Sequence, residues 1–151
     1  MYFYYGKYFF NLILDQRLFI IDSNNFTKNI ADETGAALYI TSYNGTTMIS
    51  NNNFVMNSLN VNPEKTRSVI FLNDTGNITL TNSQFENNNG IMGVYSSMGS
   101  LNISNCMFIS TLEISDEFDV STIFLEYNVT FVIGRTKFIS LFNNLQGAVI
   151  L

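Results

Sequence analysis

One pattern recurs five times along this chain: apolar, any, apolar, any, polar, small, any, Phe. The closing aromatics are Phe26, Phe54, Phe85, Phe108 and Phe138, spaced 28, 31, 23 and 30 residues apart. Seven residues before each stand Phe19, Thr47, Ile78, Leu101 and Phe131. Five before stand Ile21, Ile49, Leu80, Ile103 and Ile133, apolar in every copy. Two before stand Asn24, Asn52, Ser83, Cys106 and Thr136, all small or short. Self-similarity at such a period marks a repeat architecture, in which one unit buries its apolar face only by stacking on its neighbours.

Parity fixes the shape of the unit. In a straight strand, residues two apart share a face and residues five apart do not. Yet the position five before Phe and Phe itself are both apolar throughout, so the chain must bend between them. The bend is expected at Ser23, Asn51, Asn82, Asn105 and Arg135, and Asn in particular tolerates the backbone angles of a tight corner. A third apolar segment completes each unit: AALYI at 36–40, VIFL at 69–72, IMGVY at 91–95, IFLEY at 123–127 and GAVIL at 147–151. From Ile40, Leu72, Tyr95 and Leu125 to the next unit's first apolar position is 7, 6, 6 and 6 residues. The expectation is an all-β parallel β-helix, a solenoid of about five coils of roughly 28 residues with three short strands per coil. At the usual strand spacing, five coils make a column of roughly 24 Å. An antiparallel sandwich is the competing architecture. Asn44–Gly45 and Asn89–Gly90 suit its hairpins, but the other junctions do not, and a sandwich has no reason to repeat.

The stretches SNNFTKNIADETGAALYI, SNNNFVMN and TNSQFENN carry a family resemblance. They resemble the F-x-x-N and G-G-A-[ILV] signatures of polymorphic outer membrane protein repeats, and the wider right-handed parallel β-helix (pectin-lyase-like) repeats of large surface proteins. Phe26–Asn29, Phe54–Asn57 and Phe85–Asn88 match F-x-x-N, whereas Phe108 and Phe138 are followed by Thr111 and Leu141. The glycine signature survives as Gly35-Ala36-Ala37-Leu38 and Gly147-Ala148-Val149-Ile150. The resemblance spans 18–151 and implies a right-handed, single-stranded β-helix in a secreted or cell-surface protein, with display or adhesion as its role. Such motifs specify coil geometry, not an activity.

The segment MYFYYGKYFFNLILDQRLFII is the most hydrophobic of the chain, but Gly6, Lys7, Asn11, Asp15 and Arg17 interrupt it. No run of about 18 to 20 apolar residues forms, so a strand is preferred over a signal sequence or membrane anchor. YFFNLIL at 8–14 falls where a third segment belongs, with Ile13 six residues before Phe19. It is a partial first coil, followed by five coils over 18–151. The whole of 1–151 then reads as one β-helix segment of a longer repeat protein, or one needing partners at both ends, because an open solenoid invites aggregation.

The search for chemistry returns little. Net charge is −5, which disfavours nucleic acid. Histidine is absent and Cys106 is the only cysteine, so neither a zinc site nor a Cys/His nucleophile can be assembled, and Cys106 is expected in the core. Polysaccharide-cleaving β-helices need carboxylate clusters or paired acids. Arg135-Thr136-Lys137 matches a hydrolase-like R-x-K, but no Asp-Asp pair accompanies it, and Arg135 and Thr136 occupy ordinary corner positions. The variable insertions at 58–68 and 110–122, with the shorter one at 30–34, should emerge on one side of the column. They carry Asp32, Glu33, Glu64, Glu113, Asp116, Glu117 and Asp119. Glu113–Asp119 reads as a solvated loop; the alternative is a calcium site, but it lacks regular ligand spacing. Asn29, Asn57 and Asn88 are expected to stack as an amide ladder. Tyr39, Tyr95 and Tyr127 lie in strand segments, where packing is preferred over sugar stacking. Six N-x-[ST] sequons start at Asn25, Asn44, Asn73, Asn77, Asn102 and Asn128, about two more than chance supplies, and permit a secreted context.

The expected function is therefore a non-enzymatic structural or adhesive segment, with no catalytic, cofactor or metal residue assigned and the binding residues undetermined. The alternative is a piece of a carbohydrate-active β-helix enzyme with its site elsewhere. Its partners would be neighbouring coils of a parent protein, or surface glycans and proteins. Membrane association would come only through segments outside this chain.

Overall fold

The computed structural model describes residues 11–15, 18–31, 35–43, 45–59, 68–74, 76–88, 92–109, 122–126 and 128–139. Among them every regular element is a strand. β1 (Asn11–Asp15) leads in. The first coil is β2 (Leu18–Asp22), β3 (Asn25–Thr27), the two-residue β4 (Ile30–Ala31) and β5 (Leu38–Tyr43). The second is β6 (Thr46–Ser50), β7 (Asn53–Val55), the short β8 (Ser58–Leu59) and β9 (Ser68–Asp74). The third is β10 (Asn77–Thr81), β11 (Gln84–Glu86) and β12 (Met92–Ser96). The fourth is β13 (Gly99–Ser104), β14 (Met107–Ile109) and β15 (Ile123–Leu125), and β16 (Val129–Gly134) and β17 (Lys137–Ile139) follow.

Like strands of successive coils stack into three parallel five-stranded sheets. Their orders are β1-β5-β9-β12-β15, β2-β6-β10-β13-β16 and β3-β7-β11-β14-β17. β4 and β8 form a further two-stranded ladder. The chain is thus a parallel β-solenoid, with fewer full turns described than the five expected. The last coil shows only β16 and β17, since 147–151 lie outside the described residues.

The register joins Phe19, Thr47, Ile78, Leu101 and Phe131 in one row, and Ile21, Ile49, Leu80, Ile103 and Ile133 in the next. The five repeat phenylalanines form a third row, their rings nearly parallel at 4.9, 4.6, 4.5 and 5.3 Å. These rows and the inward residues of the β1 sheet make one core. Each buried Leu, Ile or Phe contributes roughly 1.5–3 kcal/mol of apolar transfer, and only because the coils above and below exclude water.

The inferred corner is real. Ser23, Asn51, Asn82, Asn105 and Arg135 all have left-handed backbones, φ 56, 55, 49, 54 and 50°. A second corner follows each Phe by two residues, at Lys28, Met56 and Asn87, φ 56, 55 and 52°. Inter-coil bonding survives the first corner: the N–H of Asn51 donates to Thr81 O and that of Asn82 to Ser104 O, both at 3.1 Å. Two glycines open the route from the Phe sheet to the β1 sheet. Gly35 has φ 62°, and a Cβ there would lie 2.5 Å from Leu38 O. A Cβ on Gly93 would lie 2.8 Å from the Phe108 ring.

Two register assignments need correction. Leu72 pairs with Ser96, not Tyr95, and Ile40 pairs with Leu12, not Ile13. The connections to the next coil's first inward residue become 7 residues from Leu12, 7 from Ile40, 6 from Leu72, 5 from Ser96 and 6 from Leu125. Backbone pairing of Val94 with Ile70 and Ile123 decides the matter, and it turns the hydroxyl of Ser96 inward.

Candidate functional site

Polar groups divide into those that hold coils together and those that face outward. Inside the first corner, Asn52 is fully buried. Its amide donates to Ile21 O at 2.9 Å and Ser50 O at 2.7 Å, while its Oδ1 accepts the N–H of Asn24 at 2.9 Å. One coil on, Ser83 Oγ accepts the N–H of Asn52 at 3.2 Å. Cys106 follows, its Sγ 3.5 Å from Leu80 O and 3.4 Å from Ser104 O. Burial raises the Cys106 thiol above its ordinary pKa, which keeps it protonated at neutral pH. Cys106 is a core residue, as expected.

At the second corner the amide ladder forms as inferred. Asn29 Nδ2 donates to Asn57 Oδ1 at 2.8 Å, and Asn57 Nδ2 donates to Asn88 Oδ1 at 2.9 Å. The same amides reach the preceding coil's carbonyls, Asn57 to Phe26 O and Asn88 to Phe54 O, both at 3.0 Å. These groups hold the coils together and are shielded from any ligand.

The outer face of the β2–β16 sheet is different. Strand parity turns Thr46, Asn77, Ser100 and Thr130 outward in one row, and Thr79 and Asn102 in the next. Ser50, Thr81 and Ser104 complete a third row that begins at Asp22. The middle of this face is uncharged and carries only hydroxyls and amides, at a spacing set by the strands. Its ends are apolar: Leu18 is 60% exposed, Ile20 57% and Val132 61%. Such a surface presents both donors and acceptors without a formal charge, which suits neutral polyhydroxylated ligands better than ions. The one carboxylate, Asp22, accepts from Ser50, Asn51 and Ser23, which hold it below its ordinary pKa.

A second feature lies on the outer face of the β1 sheet. Tyr39, Phe71, Tyr95 and Phe124 stack in register, at 4.9, 4.7 and 5.5 Å and within 8° of parallel. Tyr95 is only 3% exposed, and its hydroxyl bonds the Glu126 carboxylate. Burial, reinforced by that carboxylate, holds the phenol well above its ordinary pKa. Both faces of Phe71 and Tyr95 are covered by neighbouring rings, so a sugar cannot stack on them. Packing is therefore the role of Tyr39 and Tyr95; Tyr127 lies outside the described residues. Phe71 and Phe124 were not singled out from sequence, and a one-residue shift of the third segment would have revealed the row.

The acidic loop residues Asp32, Glu33, Glu64, Glu113, Asp116, Glu117 and Asp119 lie outside the described residues. Among the described residues, no group of three or more potential metal ligands comes together. Arg135 is a corner residue at φ 50°, Thr136 Oγ1 donates to Gly134 O at 3.2 Å, and Lys137 is exposed in β17. The R-x-K triplet is thus spread around a corner that every coil possesses. Comparison of the chain with protein-family models, with curated proteins and with solved structures returns no match.

Proposed function

We propose that this chain is a non-enzymatic, rigid β-solenoid segment of a secreted or cell-surface protein, acting as a stalk or display surface for adhesion. One observation carries the proposal: the buried corner amides bond coil to coil, while the outermost rows of the β2–β16 sheet present a regular neutral surface. A structure of this kind gains rigidity from its interior and has its outer faces free for recognition. The F-x-x-N matches at Phe26–Asn29, Phe54–Asn57 and Phe85–Asn88 support kinship with polymorphic outer membrane protein and pectin-lyase-like repeats, since the matched Asn is the ladder residue in each.

Antibodies against the purified chain test the location. Labelling of intact source cells, or recovery from their medium, is the expected outcome; labelling only after permeabilisation would sink the proposal. Incubation with acidic and neutral polysaccharides tests the non-enzymatic part. Chain shortening by the purified protein would favour the carbohydrate-active alternative.

A further inference from the structure

The asparagines fall into two populations by burial. Asn29, Asn52 and Asn57 are at most 1% exposed and bond across coils, and none is followed two residues later by Ser or Thr. Asn77, Asn102 and Asn128 are exposed, and each has a hydroxyl residue at that distance: Thr79, Ser104 and Thr130. In β10 and β13 this spacing places the amide and the hydroxyl on the same outer face, while the intervening Ile78 and Ile103 are each 1% exposed in the core. A bulky polar group on Asn77 or Asn102 would therefore project into solvent without displacing any core side chain.

We propose that Asn77, Asn102 and Asn128 are acceptors of N-linked oligosaccharide, an assignment that rests on the secreted or surface location proposed above. The donor class is a polyprenyl-pyrophosphate-linked oligosaccharide. The side-chain amide nitrogen attacks the anomeric carbon and loses one proton. The bond from that carbon to the pyrophosphate oxygen breaks, and the pyrophosphate leaves with the electron pair. The other described sequon asparagines are less suited. Asn73 is half-buried and its Oδ1 accepts Ser97 Oγ at 3.0 Å, and Asn25 Oδ1 accepts Asn53 Nδ2 at 2.9 Å.

Thr79 is the register partner of Asn102, so the two acceptors Asn77 and Asn102 sit one strand and two residues apart, roughly 8 Å from the strand spacing and rise. Glycans there would cover the centre of the hydroxyl–amide face. The polar middle of that sheet would then be a sugar-bearing shield, and recognition would fall to the glycans or to the other faces.

The test is to express the full chain in a eukaryotic cell behind a heterologous secretion leader, reading total and secreted protein. Enzymatic deglycosylation in heavy-oxygen water converts each occupied Asn to labelled Asp. Label at 77, 102 and 128 is expected. Thr79→Ala and Ser104→Ala should each remove one glycan's mass and leave the asparagine in place, and Asn77→Gln and Asn102→Gln should do the same. Recovery of unmodified Asn77 and Asn102 would overturn the assignment. So would a glycosylated chain that no longer melts cooperatively while its deglycosylated form does. Because the leader imposes the route, a native chain found inside its source cells would fail the functional proposal while leaving this site assignment to stand on the labelling.

Discussion

The two corners of each coil do the same geometric work with different chemistry. At the second corner, Asn29, Asn57 and Asn88 form a continuous amide ladder in three successive coils. At the first, the inward residue runs Asn24, Asn52, Ser83, Cys106, Thr136, and the amide ladder gives way to a hydroxyl and then a thiol. Both bend the chain through a left-handed residue. The difference shows that the backbone ladder alone carries the coil around a corner, and that a side-chain amide adds stability without being required for the bend.

The largest effect should come from breaking the stronger ladder at its centre. Asn57→Ala removes donors to Phe26 O and Asn88 Oδ1 and the acceptor used by Asn29, all in buried surroundings. Unsatisfied buried groups cost about 1–3 kcal/mol each, so a loss of about 3–4 kcal/mol is expected in chemical denaturation. A loss under about 1 kcal/mol would mean that the second corner is no stronger than the first. Asn52→Ser copies what the third coil already does with Ser83, and should cost less, about 1–2 kcal/mol. Equal losses for the two variants would erase the distinction.

Met56→Asn asks what the left-handed residue itself contributes. Met56 has φ 55° and is 48% exposed, so little packing is lost. Replacing it with a residue that tolerates this conformation should stabilise the chain by about 1 kcal/mol. The smallest effect belongs to Cys106→Ser, near zero at neutral pH, because Ser83 fills the equivalent place one coil earlier. The folded thiol titrates above its ordinary value of 9.0. Its stability contribution is therefore complete below that value and is lost as pH rises through the folded pKa. The alkaline fall in melting temperature should be shallower in Cys106→Ser, and an unchanged slope would show that the thiol is not desolvated.

The Phe row and the first corner were legible because one inward residue type recurs there, and because parity cannot be met by a straight strand. The second corner was only half legible. Its inward Asn29, Asn57 and Asn88 stood out, but Lys28 and Met56 have no turn preference to betray the left-handed backbone. The one-residue slips at Tyr95 and Ile13 have a physical cause in the sheet they share. Its outer face carries an aromatic stack, so apolar residues occupy both faces and the alternation that sets register disappears. Ser96, fully buried with no partner for its Oγ, made the error look natural. The neutral outer face could be read from alternation in ITLT and LNIS once those segments were known to be strands, whereas the acidic loops lack any repeat that would place them.

The central claim is the register that stacks one coil on the next, and a disulfide scan measures it directly. Outward-facing Asn53 and Gln84 are register partners on adjacent strands. At the usual strand spacing of about 4.8 Å, their Cα atoms fall within the range a disulfide spans. In a Cys106→Ser background, the pair Asn53→Cys with Gln84→Cys should oxidise to an intramolecular disulfide in the folded chain. Asn53→Cys with Met107→Cys lies two coils apart, roughly 9.6 Å, and should stay reduced. Failure of the first pair, or closure of the second in its place, would contradict the stacked-coil account.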